Sequence, residues 1–151
     1  MSTDTAESGP DGFSAAEREA MKQRAAELRA EGRGGAKKAD ALQACLDRIA
    51  SMEGTDRMLA ERVHASVTEH APGLAPKTWY GMPAYANAAG KVVIFFQDAG
   101  KFEARYASLG FNDTATLDDG DMWATSFALV AWNDDVEARV AELVRAAVAD
   151  D

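Results

Sequence analysis

The sequence predicts an α+β domain of two layers: N-terminal helices, an antiparallel β-meander, and a C-terminal helix packed on one face of the sheet. Three observations carry this. Of twelve aromatic residues Phe13 alone precedes position 79, and the other eleven fall between Trp79 and Trp132, which confines strand-forming chemistry to the middle of the chain. Apolar residues recur at helical spacing before and after that region and alternate within it. A length of 151 residues, 47% apolar and 27% charged, suits one globular core.

Residues 1–12 are polar and without period and read as a disordered tail. Phe13, Ser14 and Glu17 form a hydrophobic staple and capping box, which open a helix rich in Ala, Glu, Lys and Arg. Its stripe of Met21, Ala25 and Leu28 is thin, so this helix is expected to pack lightly, as an accessory arm. The glycine cluster Gly32, Gly34 and Gly35 reads as a hinge, making residues 13–38 an accessory segment before a domain spanning 39–151. From Asp40, the spacing of Leu42, Cys45, Leu46, Ile49 and Met52 predicts a second helix with Cys45 on its buried stripe. Gly54 breaks the chain, Thr55 is placed to cap a third helix with Leu59, Val63 and Val67 inward, and Pro72-Gly73 stops it. His64 and His70 lie six apart on this helix, so they cannot share one metal, and they read as surface or boundary residues.

The period then changes. Thr78–Tyr80 and Ala84–Ala86 are predicted as short strands broken by Gly81 and Pro83, with a turn over Asn87–Gly90 and a strand over Lys91–Gln97. After a turn at Asp98–Lys101, Phe102, Ala104 and Tyr106 alternate with Glu103 and Arg105, which predicts a strand with one wet face and no helix between Lys91 and Tyr106. Thr125–Trp132 is the predicted last strand. Asn133 caps the final helix, with Asp134 and Asp135 at its positive end and Val136, Val140, Leu143, Val144 and Ala147 as its stripe. The run Val92–Phe96 is apolar on both faces. With helices on one face, the other requires cover from the first helix, a ligand cleft, or a second copy in a homodimer through the open sheet face.

Charge narrows the function. The net charge of −9 argues against nucleic-acid and anionic-membrane partners. No apolar run reaches membrane-span length and no leader pattern is present, so the expected location is the cytoplasm. One cysteine excludes an internal disulfide. Residues 113–135 hold Asp113, Asp118, Asp119, Asp121, Asp134 and Asp135 without a Lys or Arg. Placing Gly120 at position six of an EF-hand loop puts Ala115 and Leu117 where carboxylates are required, so this is no EF-hand. Phosphate-binding loops, dinucleotide fingerprints, nucleophile elbows and zinc-protease motifs are all missing, and no nucleophile has a positioned base, so a non-enzymatic role is expected.

The most distinctive stretch is Pro76-Lys77-Thr78-Trp79-Tyr80-Gly81-Met82-Pro83-Ala84-Tyr85-Ala86, followed by Gly90-Lys91 and Lys101-Phe102. Gly81 and Pro83 are expected to splay Trp79, Tyr80, Met82 and Tyr85 at an edge, beside Lys77, Lys91, Lys101 and Arg105. Such an aromatic-lined recess would suit a small anionic or planar ligand. From about Ala39 to Ala149 the chain resembles the YdhG-like family of bacterial domains of unknown function, on the Tyr80-Gly81-Met82-Pro83-Ala84 signature and the later Gly90-Lys91 strand. The resemblance implies a frataxin-like α+β fold, and for some members iron-chaperone activity through exposed carboxylates. The balanced charge of the first helix departs from a frataxin-type acidic ridge, which leaves Asp118, Asp119 and Asp121 as the candidate metal ligands. The expected function is therefore an accessory or binding protein with no required cofactor, taking a small molecule or a protein partner. The alternative is weak, unselective iron binding.

Overall fold

In the computed structural model, which describes residues 13–32 and 38–149, three helices precede the sheet. They are α1 (Ala15–Gly32), α2 (Lys38–Ala50) and α3 (Gly54–His70). The strands are β1 (Ala75–Trp79), β2 (Met82–Ala86), β3 (Val92–Gln97), β4 (Ala107–Phe111) and β5 (Ser126–Leu129), with a single-turn helix α4 (Ala99–Phe102) between β3 and β4 and α5 (Asp134–Ala147) closing the chain. Every pairing is antiparallel and the strand order follows the chain, so the sheet is the predicted meander. The expected tail over 1–12 and the hinge glycines Gly34 and Gly35 lie outside the described residues. Among the described residues no helix is long and apolar enough to cross a membrane.

Strand alternation puts Tyr85, Ile94, Phe96, Leu109, Phe111 and Leu129 on one face, where α2, α3 and α5 meet them with Cys45, Ile49, Leu59, Val63, Val67, Val140, Val144 and Ala147. Each large buried side chain here contributes roughly 1.5–3 kcal/mol. Tyr85 pairs with Ile94 but Ala86 pairs with Val92, so Val93 is an extra residue in β3. This bulge lets both Val93 and Ile94 be buried. α5 is fixed at both ends: Asn133 Oδ1 accepts from the Val136 N–H at 2.9 Å, and the Thr116 hydroxyl and N–H reach the Ala146 and Ala147 carbonyls at 2.7 and 3.0 Å.

The apolar outer side of β3 is covered from within the sheet. Phe95 lies against Trp79, with ring centroids 5.4 Å apart, and over Gly110, whose missing side chain makes room for the ring.

Three expectations are corrected. Phe102–Tyr106 is not a strand: the Asp56 carboxylate of α3 accepts from the Ala99 and Gly100 N–H groups at 3.2 and 2.9 Å, which starts α4, and Glu103 ends it in the left-handed region at φ 54°. The alternation there marks no buried face, since Ala104 and Tyr106 are exposed like Glu103 and Arg105, and the strand begins at Ala107. Gly81 does not break a strand but turns the β1–β2 hairpin, so β1 and β2 are both longer than predicted, whereas β5 is shorter. Finally, the stripe of α1 faces outward: Met21 and Leu28 are 45% and 51% exposed, and the helix docks instead through Ala20, Gln23, Arg24 and Glu27. Its target is a turn whose two N–H groups donate to Glu27, rather than an apolar surface.

Candidate functional site: a cationic cleft beside the signature turn

The signature builds a tight hairpin. Tyr80 and Gly81 both have positive φ, 54° and 76°, as a two-residue loop matching strand twist requires. Their N–H groups point away from the ladder, and the Glu27 carboxylate of α1 accepts both, at 3.1 and 3.2 Å. From the other side Arg48 of α2 donates to the Gly81 carbonyl at 2.7 Å, while its Nη2 reaches both Asp98 oxygens at 2.9 and 3.0 Å. A side chain at position 81 would displace the flexible ends of Gln23 and Lys101, and the positive φ there favours glycine. Pro83 pairs only with Thr78 of β1, since pairing to β3 starts at Ala84, and so its missing N–H costs no ladder bond to β3.

This clamp fixes a cleft of about 530 Å³ lined by Arg24, Lys77, Trp79, Lys91, Asn112 and Thr114, with Gly90, Val92 and Asp113 completing the wall. Register explains the depression: Lys77 and Phe95 flank Ala84, and Ala75 and Val92 flank Ala86, so β2 contributes only methyl groups there. Trp79 is half-buried and held by Tyr80 edge-on at 5.1 Å. The Arg24 guanidinium sits 5.9 Å from the Tyr80 ring centroid and 3.3 Å from Glu27. Opposite, Asn112 Nδ2 and Thr114 Oγ1 both donate to the Val92 carbonyl, at 3.1 and 3.0 Å, which fixes the far wall. Three cations, one acid and the indole thus line one cleft. A second cleft, about 480 Å³ near His70 and Leu74, is lined mainly by alanines, Pro72, Gly73 and Val148 and has no such concentration of charge.

Of the sequence-predicted recess, Trp79, Lys77 and Lys91 come together, with Tyr80 adjoining them. Met82 is buried beside Trp79 in the hairpin. Lys101 belongs to the buried side of the turn, where burial and then Arg48 lower its pKa, against the pull of Glu19 and Asp98. Arg105 is exposed and stacked on Tyr106. Tyr85 lies on the opposite face, fully buried. Its hydroxyl is 3.0 Å from His64 Nδ1 and within hydrogen-bonding reach of the Cys45 thiol. Burial pushes that thiol up to about 11 and lowers His64, so the trio is a satisfied polar thread through the core rather than an activated nucleophile. Arg24, Asn112 and Thr114 were not legible as site residues. The signal available for Arg24 was the polar repeat Gln23, Arg24 and Glu27 beside Ala20.

Asp118, Asp119 and Asp121 occupy one exposed turn, with Gly120 at φ 70°. Among the described residues no three His, Cys, Asp or Glu side chains converge as a metal site. Comparison of the chain with known protein families, with curated proteins and with solved structures found no match.

Proposed function

We propose that this chain is a binding protein for a small planar anion, an accessory rather than a catalytic component, of the YdhG-like type that its Tyr80–Ala84 signature resembles. The observation that supports this is that Arg24, Lys77 and Lys91 line one cleft with Trp79 in a chain whose net charge is −9. An aromatic carboxylate or phosphate monoester could set its ring against the indole and its charge between the lysines and Arg24. The Thr114 hydroxyl in the wall is committed to the Val92 carbonyl, which favours holding over transforming.

The test is calorimetry with 2-naphthoate and its uncharged amide. The carboxylate is expected to bind more tightly than the amide, and Lys77→Ala and Lys91→Ala each to weaken it by about five-fold, roughly 1 kcal/mol, with the difference shrinking in salt. Equal affinity for acid and amide, or no effect of either lysine, would count against the reading. Weak iron binding through Asp118, Asp119 and Asp121 is the second reading, and it rests on resemblance and composition alone. An anaerobic Fe(II) titration of the wild type against the triple Asp→Asn variant tests it, and equal heats would end it.

A further inference from the structure

The two ends of the sheet are finished differently. α2 packs along β1, whereas among the described residues nothing pairs with the outer side of β5. The direction of each backbone group in β5 follows from the ladder. Phe111 N–H donates to the Thr125 carbonyl at 2.8 Å, and Gly110 lies opposite Ser126. Thr125, Phe127 and Leu129 therefore bond inward to β4, while Ser126 and Ala128 turn their N–H and C=O groups, and Val130 its N–H, outward. Open edges are ordinarily guarded by lysine, proline, a bulge or an inward charge. The segment Thr125–Val130 has no charged residue and no proline.

Exposed apolar residues flank this strand along the chain. Met122 and Trp123, just before it, are 88% and 39% exposed, and Val130, just after it, is 67% exposed. Acids stand beyond them at both ends, Asp118, Asp119 and Asp121 on one side and Asp134 and Asp135 on the other. Arg139 is engaged with Phe127, 5.7 Å from the ring centroid, on the helix side of the strand.

Charge selects the occupant. A second copy pairing β5 with β5 antiparallel would set the acids that precede one strand against the acids that follow the other, and like charges oppose that approach. We infer that β5 is a docking edge for an extended basic segment of another protein, which adds a sixth strand. The segment's backbone pairs with Ser126, Ala128 and Val130, its apolar side chains rest on Met122, Trp123 and Val130, and its lysines or arginines face the flanking aspartates. The inference is independent of the cationic cleft, which involves none of these residues.

The experiment uses the full chain and an amidated octapeptide alternating lysine with valine, with an alternating glutamate–valine peptide as control. Ala128→Pro removes one outward N–H while keeping the bonds to β4, and Val130→Lys adds a guarding cation without touching the backbone. Circular dichroism checks that both variants fold. Calorimetry is expected to show saturable binding of the basic peptide that falls by about ten-fold or more on raising salt, none of the acidic peptide, and a loss of about ten-fold or more in each variant. Light scattering is expected to show a monomer. A dimer abolished by Ala128→Pro would assign the edge to a second copy instead. Equal binding of the basic peptide to wild type and Val130→Lys, or no binding at all, would equally overturn the inference.

Discussion

Gly110 and Phe95 occupy space that only one of them can fill, because a methyl group on Gly110 would collide with the Phe95 ring. Gly110→Ala should therefore displace Phe95 from Trp79 and destabilise the fold by about 1–3 kcal/mol, measured by urea denaturation. A neutral effect would mean the outer face is loosely packed. The buried thread makes a second prediction at this scale. Folding raises the Cys45 thiol from 9.0 to about 11, so the folded chain holds that proton more tightly than the unfolded chain. Its contribution to stability is complete below pH 9.0 and is lost as pH rises toward about 11. His64 runs the other way: burial lowers it from 6.5, so its contribution is present above pH 6.5 and is lost on acidification. Denaturation midpoints should form a plateau between these limits, and Cys45→Ala should make the alkaline decline shallower while Tyr85, raised mainly by burial, retains part of it. An unchanged decline would show that the thiol is not protected.

At the scale of elements, α1 is the outlier. Its capping box forms as the sequence indicates, with Ser14 N–H donating to Glu17 at 2.8 Å and Glu17 N–H to Ser14 Oγ at 3.1 Å. Yet it docks by polar groups, and Gln23 Oε1 is buried there with no hydrogen-bond partner among the described residues. Deleting residues 1–35 should leave one cooperative unfolding transition, at a cost of at most about 3 kcal/mol, seen by calorimetric melting. Loss of cooperativity would show that α1 belongs to the core. Local signals of this kind were legible because both partners sit within a turn of each other: the capping box here, Asn133 and Val136 in α5, and the stripe of α3. Contacts of long separation were not. Asp56 starts α4 from 43 residues away, and Glu27 reaches Tyr80 across 53, so neither leaves a periodic trace. The false strand at Phe102–Tyr106 has the same origin, since the Asp56 contacts that start α4 leave no mark on the local alternation.

For the whole molecule, the decisive feature is how α1, the signature hairpin and the turn before β3 bring Arg24, Lys77 and Lys91 to one cleft on an acidic protein. The sequence carried part of this: Trp79, Lys77 and Lys91 belong to one stretch, and the recess was placed beside them. Tyr85 was misplaced because side-chain direction depends on strand register, and Arg105 because the segment before Ala107 is not a strand. Arg24 could not be placed without knowing that α1 docks on its polar side. The central claim is that these cations and Trp79 form one ligand site. Amide and indole N–H spectra of the isotopically labelled chain, recorded during titration with 2-naphthoate, test it most directly. The expected result is saturable shifts confined to Trp79, Lys77, Lys91, Asn112 and the facing part of α1 near Arg24. Shifts centred elsewhere, or none at millimolar ligand, would contradict it.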